Sequence, residues 1–182
     1  MNPTSSTTQT TDPVPARKTD CANIRDAITL RVAAPSDLYS INNLIAAAIA
    51  TWRLADRVKR ISLPLYRYHE DDLQEMQIVV AHCGDDAILG VAAVEPAYAS
   101  DVFDGLPTSL LHGIYVAPNL HRTGVGTRLV ENIETLARSG GARVLLVKAR
   151  PEAISFFCAQ GFSRLTTRDH RGDYPYQFFK RL

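Results

Sequence analysis

Cysteine is scarce in this chain of 182 residues: there are three, at Cys21, Cys83 and Cys158. An odd number without metal-like spacing, beside five scattered histidines, argues against a disulfide framework and a structural metal. A reducing, cytoplasmic compartment is the default that follows. No sign of charge dominates either. Twenty Lys and Arg against nineteen Asp and Glu leave a net charge of +1, too little for the basic face that nucleic-acid binding needs. No apolar run approaches membrane-spanning length, and MNPTSSTTQTTDPVPARKTD lacks the apolar centre of a secretory signal.

What remains is ordinary globular usage, 46% apolar and 21% charged, with length enough for one domain and a real core. Residues 1–25, rich in Thr, Ser and Pro, cannot bury enough surface to fold and are expected to be a disordered tail. Residues 26–182 are expected to form a single domain. Ile28, Leu30 and Val32 alternate with Thr29 and Arg31, which predicts a half-buried first strand. Pro35-Ser36-Asp37 opens a helix with Ser36 as its cap, and Leu38, Ile41, Ile45, Ala48 and Trp52 form its apolar stripe. A short helix over Ala55 to Ser62 follows. Gln77 to His82 and Ile88 to Glu95, flanking Gly84-Asp85-Asp86, read as a hairpin.

The most informative stretch is Leu110 to Leu136, LLHGIYVAPNLHRTGVGTRLVENIETL. An apolar strand, Leu110 to Val116, ends at Ala117-Pro118-Asn119. His121-Arg122-Thr123-Gly124-Val125-Gly126 then puts glycine where the backbone must turn sharply and approach a ligand. The following helix, with Val125, Leu129, Ile133 and Leu136 at three- and four-residue spacing and Ser139-Gly140-Gly141 as its stop, presents unpaired N–H groups and a positive dipole end to that loop. Such a loop suits a phosphate. A plain strand-loop-helix connection accounts for the loop equally well when it is taken alone. A Walker loop is excluded, because no glycine stands six positions before Lys-Ser or Lys-Thr. A dinucleotide fingerprint is excluded too, since Leu129 occupies the third glycine position.

Arg143 to Lys148 reads as a further strand, followed by Arg150-Pro151-Glu152-Ala153-Ile154-Ser155-Phe156-Phe157-Cys158-Ala159-Gln160-Gly161-Phe162. Pro151 suits a first helical position and Gly161 the residue after the last turn. Ser163 to Arg168 and Tyr174 to Lys180 read as two final strands.

Together these two motifs resemble the GNAT superfamily of acyl-CoA-dependent N-acyltransferases, whose pattern is a strand ending in V-x-P, then [QR]-x-x-G-x-[GA], a strand, and N-x-x-A-x-x-F-Y-x-x-x-G-F. Val116-Ala117-Pro118, His121 to Gly126, and Ala153, Phe156, Gly161 and Phe162 carry the resemblance. It is specific over Leu110 to Phe162. His121 stands for the usual Gln or Arg, Arg150 for Asn, and Phe157 for the Tyr thought to protonate the departing thiolate.

The resemblance implies an α/β (α+β) single-domain fold, with a central, splayed, mostly antiparallel sheet and helices on both faces. It implies an acetyltransferase taking acetyl-CoA as cosubstrate, without a metal, and acting by direct attack of a primary amine of a small molecule or peptide. Ile114, Tyr115, Val116, His121, Arg122, Thr123, Gly124, Val125, Gly126, Thr127, Arg150 and Phe157 are the expected cofactor contacts. His112, whose ordinary titration range suits proton removal near neutral pH, is the candidate base, and Glu95 its rival. Each also has a bland account, a half-buried strand histidine and a solvated strand end. With Phe157 lacking a proton, water, Cys158, Tyr66, Tyr68 or Tyr115 would protonate the thiolate. Trp52, Arg53, Arg57, Tyr66, Tyr68, Tyr98, Asp101 and Asp104 are candidates for the acceptor site. Alternation places His112, Ile114 and Val116 on one face and Tyr115 on the other unless a bulge intervenes. A non-catalytic acyl-CoA-binding or regulatory module is the alternative, and a homodimer is left open.

Overall fold

The structure is a computed structural model, and it describes residues 27–84, 87–96, 102–165 and 176–182. The tail expected over 1–25, the tip of the first hairpin, and Tyr98 and Asp101 lie outside the described residues.

Strand β1 (Thr29–Val32) leads into a 3-10 turn at Pro35–Asp37 and helix α1 (Leu38–Ala50). The start differs from the expectation. Ser36 makes no cap; the Asp37 carboxylate reaches back to accept the Ala34 N–H at 2.7 Å while gripping the Arg31 guanidinium at 2.6 and 2.9 Å. Pro35 at the first helical position moves the cap two residues earlier than Ser36, onto Ala34. Helices α2 (Asp56–Ser62) and α3 (Asp72–Glu75) precede the hairpin of β2 (Gln77–Cys83) and β3 (Ala87–Glu95). Then follow β4 (Val102–Phe103), β5 (Leu106–Val116), α4 (Val125–Ser139), β6 (Val144–Lys148), α5 (Ile154–Ala159), β7 (Ser163–Arg164) and β8 (Gln177–Arg181).

The strands form one sheet in the order β1-β2-β3-β5-β6-β8-β7, with β4 paired to β5 off this path. Only β5–β6 is parallel; the other pairs are antiparallel. Side chains alternate across it as strand geometry requires. Ile78, Val80, Val91 and Ala93 face α1, where Ile41, Ile45 and Ile49 are buried. Val79, Ala81, Ala92, Val94 and Leu111 face α4, packed on Val125, Leu129 and Ile133. The mostly antiparallel sheet with helices on both faces is therefore present, and it has two cores.

Two features position the site. The first is where β5 and β6 part. Their parallel pairing runs from Thr108↔Val144 to Leu111↔Val147 and stops. Beyond it β5 continues to Val116 along β3 alone, while Ala149 turns to bond the Tyr176 carbonyl on the β8 side. The sheet is split there, and one edge of β5 is left open over His112 to Val116.

The second is a bulge. Ala93 opposes Gly113 and Val94 opposes Leu111, so His112 is the extra residue. This corrects the simple alternation. The bulge separates His112 from Ile114, which packs on the α4 side, and turns it toward Tyr68, beside Tyr115 on the α1 side.

Candidate active site

A cleft of about 790 Å³ opens where the sheet splits. His112, Ile114, Tyr115, Val116, His121, Arg122, Gly124, Gly126, Thr127, Arg150 and Phe157 all line it. Two expected cofactor contacts and the rival base do not. Thr123 turns inward, its hydroxyl donating to the Leu120 carbonyl at 2.6 Å, and so closes the loop. Val125 is fully buried under α4, as its place in the helical stripe demands. Glu95 sits behind His112 rather than on the cleft wall.

The loop ahead of α4 is built for close approach. Arg122 at φ 64° and Gly124 at φ 97° both adopt left-handed backbone, a conformation that turns successive N–H groups to one side. No acidic residue stands in the first turn of α4, so the positive end of the helix is not already neutralised. Gly126 has another reason to be glycine: a Cβ there would lie 3.2 Å from the Phe156 ring. The absent Cβ lets the Phe156 ring of α5 approach the start of α4.

Phe157 is buried, with ring centroids 5.2 Å from Phe156 and 5.4 Å from Phe162. Phe162 donates its N–H to the Phe157 carbonyl and Gly161 donates to that of Cys158, both at 3.0 Å. With Gly161 at φ 81°, this is a Schellman termination, and the Phe157–Phe162 contact is its apolar clasp. Phe157 thus has a packing task that needs no hydroxyl. Cys158 is exposed and stands off the cleft, which removes it as a proton donor there.

On the α1 side, His112 Nε2 lies 3.8 Å from Glu95 Oε1, and its Nδ1 lies 3.5 Å from the Tyr68 hydroxyl. Tyr68 is almost wholly buried. Burial, first, and then the neighbouring Tyr115, Asp72 and Glu95 raise its pKa well above the usual tyrosine value, so it stays a neutral phenol. Its backbone is anchored by Asn42, whose side chain accepts the Tyr68 N–H and donates to its carbonyl, each at 2.9 Å. Gly113 makes room for this group: a Cβ would fall 2.8 Å from the Tyr115 ring and 2.9 Å from the Tyr68 hydroxyl oxygen.

Of the residues expected at the acceptor site, Trp52 and Tyr66 line the cleft and touch edge-on with centroids 5.2 Å apart. Arg53 and Arg57 do not line it. Asp104 is taken by Arg181 in an exposed ion pair, tied there because it forms the tight β4–β5 turn with Gly105. Lys148, Glu152 and Gly113 were not anticipated. A lone glycine inside an apolar strand is the signal that could have found Gly113.

Residues 46–162 match the model of the Acetyltransferase (GNAT) family. The chain belongs to the GNAT acetyltransferase family. That span holds the split strands, the glycine loop and both halves of the cleft. Solved structures agree in fold. A PaiA N-acetyltransferase from Thermoplasma acidophilum, in complex with coenzyme A, superposes with TM-score 0.69 at 12% identity, over 85% of this chain and 99% of that one. A GCN5-related N-acetyltransferase from Rhodopseudomonas palustris gives 0.64 at 20%, over 85% and 95%. A GNAT acetyltransferase from Brucella melitensis, in complex with acetyl-CoA, gives 0.53 at 21%, over 75% and 82%. No curated protein sequence matches. Among the described residues there is no group of His, Cys, Asp and Glu able to hold a metal, and no helix long and apolar enough to cross a membrane.

Proposed function

We propose that this GNAT acetyltransferase acetylates a primary amine of a small molecule or peptide by direct attack, with the amine arriving from the α1 side. The observation that carries this reading is the split between β5 and β6. It has a left-handed glycine loop on one side of the sheet and the bulged His112, backed by Glu95 at 3.8 Å, on the other.

The backbone N–H groups of the loop from His121 to Thr127 hold the pyrophosphate. The open edge of β5 from Ile114 to Val116 pairs with the pantetheine arm as an added strand would. Acetyl-CoA supplies the acyl group as a thioester, whose C–S bond breaks as the amine nitrogen bonds to the carbonyl carbon. A backbone N–H near Val116 polarises that carbonyl. His112, directly or through a water, takes the proton the amine loses, and Glu95 balances the charge on the ring. Tyr115 or solvent returns a proton to the thiolate, because Phe157 has none to give.

Two variants test the assignment, with CoA binding followed by calorimetry and turnover by thiol release. Gly124→Glu, which fills the cradle with a side chain and a negative charge, should abolish both. His112→Ala should keep binding and lose about a hundredfold in kcat. Binding without thiol release in the wild-type protein, across a broad amine panel, would instead identify a binding module.

A further inference from the structure

The near-neutral charge of the chain hides a local excess. Residues 53–67 hold Arg53, Arg57, Lys59, Arg60 and Arg67 against Asp56 alone, while the chain as a whole carries +1. Asp56 is taken up by Lys59, 3.5 Å away, and that lysine also donates to the Ala50 carbonyl at 2.9 Å, which ties α2 to the end of α1. The four arginines are exposed and have no ion-pair partner among the described residues. The acids that follow, Glu70 to Glu75, pair with none of them.

The same segment turns its apolar side outward. Val58, Ile61 and Leu65 are 47%, 66% and 80% exposed, three of the five large apolar side chains left open to solvent among the described residues. They recur at i, i+3 and i+7 along α2 and the 3-10 turn Leu63–Tyr66 that continues it, so they share one side of the helix. Neither element contains a buried residue. A lone exposed apolar residue needs no explanation, but a stripe rimmed by charge marks an interaction surface.

Its place in the fold says what that surface serves. Trp52 and Tyr66, at the two ends of the segment, touch edge to edge and both line the cleft. The chain from Arg53 to Leu65 is therefore an excursion that begins and ends on the α1 wall of the cleft, and none of it lines the cavity.

We propose that α2 and the turn after it are a docking surface for a polypeptide acceptor, holding an acidic, apolar segment of that chain while its amine enters the cleft. The inference rests on the amine-acetylation reading above and narrows its acceptor to a peptide or protein. Apolar side chains of the guest cover the Val58, Ile61 and Leu65 stripe, and its carboxylates meet the unpaired arginines beside it, a match that guanidinium groups make in two parallel hydrogen bonds. A single-stranded nucleic acid fits less well, since residues 53–65 hold no aromatic side chain for its bases to stack on. A second copy laid face to face would set arginine against arginine.

The test uses synthetic peptides with one free α-amine, a Gly-Ser spacer of about two to ten residues, and a segment of Glu and Leu at helical spacing. One control replaces each Glu by Gln, and another ends after the spacer. In wild-type protein at low salt, kcat/KM for the Glu peptide should exceed that for its Gln twin by about tenfold, and the ratio should shrink as salt is added. Arg60→Glu should bring the ratio close to one, and Ile61→Ser should lower kcat/KM for both by about tenfold. Neither side chain lines the cleft, so both variants should turn over the spacer-only peptide at the wild-type rate. Equal kcat/KM for all three peptides at every spacer length would overturn the inference and leave acetyl transfer standing.

Anisotropy of the Glu peptide, labelled at its C-terminus, reads docking without turnover. Binding that Arg60→Glu abolishes, with no thiol release, would support the docking surface while refuting acetyl transfer. No binding combined with no release would refute both. Sedimentation velocity, a short single-stranded RNA and phosphatidylglycerol vesicles cover the other occupants. Self-association, RNA binding or vesicle binding that Arg60→Glu or Ile61→Ser abolishes, in a protein that does not bind the Glu peptide, would overturn the inference.

Discussion

Gly113→Ala is a one-carbon change whose effects follow from the geometry. Its Cβ would stand 2.8 Å from Tyr115 Cε2 and 2.9 Å from the Tyr68 hydroxyl oxygen. Ordinary contact begins near 3.4 Å, so both rings must retreat by about half an ångström. Tyr68 cannot do so freely, since its ring is buried and its backbone is held by Asn42 through two hydrogen bonds. Overpacking of this kind costs about 1–3 kcal/mol, or about 2–4 °C in Tm per kcal/mol for a domain of this size. The shift also carries Tyr68 off His112 Nδ1, now 3.5 Å away, and small misplacements of catalytic groups are costly. Thermal melts by circular dichroism and thiol-release kinetics on the same preparations measure both effects. We expect Tm to fall by about 2–12 °C and kcat by about tenfold. In a Tyr115→Ala background the stability loss should shrink by about 1 kcal/mol, because one obstructing ring is gone. Wild-type Tm and kcat in Gly113→Ala would show that the Tyr68 and Tyr115 rings do not confine this position.

Gly124→Ala keeps the loop small but forces a Cβ onto φ 97°; it should cost about 1–2 kcal/mol and weaken CoA binding in calorimetry. Lys180 bonds the buried Glu134 and the Gln160 carbonyl, joining α4 to the end of α5. Lys180→Met leaves Glu134 with Arg138 alone and should lower stability by about 2 kcal/mol in urea titrations. Asp37 has its pKa lowered from 3.8, chiefly by its hydrogen bonds to Arg31. A depressed folded pKa gives stability that is present above the unfolded value and lost as pH falls through the folded one. Asp37→Asn should therefore cost about 1 kcal/mol at pH 7, kept small by the partial exposure of Arg31. Its melts should converge with wild type as pH drops below about 3.8.

The helices that cover the sheet were the most readable part of the sequence. Leu38, Ile41, Ile45 and Ala48, and then Val125, Leu129 and Ile133, repeat at helical spacing because each helix buries a single face. The second glycine motif was equally plain, since Pro151 and Gly161 mark the ends of a short turn-and-helix segment. The bulge at His112 was not readable from alternation, which assumes one residue per partner; only the register against β3 reveals the extra residue. Strand β4 and the first four residues of β5 lie outside the strand that apolar patterning predicts, although Asp104-Gly105 is a strong hairpin signal. Both residues take positive φ, 54° and 75°. The start of α1 was assigned to Ser36 by residue type, whereas the cap depends on Asp37 folding back to Ala34, a tertiary choice made with Arg31. Trp52 and Arg150 are both candidates by residue type, but nothing in their spacing of nearly a hundred residues indicates that the Arg150 guanidinium lies over the Trp52 ring, 4.4 Å from its centroid.

If this cleft moves an acetyl group from acetyl-CoA to an amine, the purified protein should do so unaided. The most direct test is thiol release from acetyl-CoA by the purified protein against amino acids, small amines, polyamines and peptides, with the acetylated product identified by mass spectrometry. We expect release that depends on one class of amine, yields its N-acetyl product and disappears in Gly124→Glu. CoA binding with no release and no acetylated product from any of these amines would contradict it.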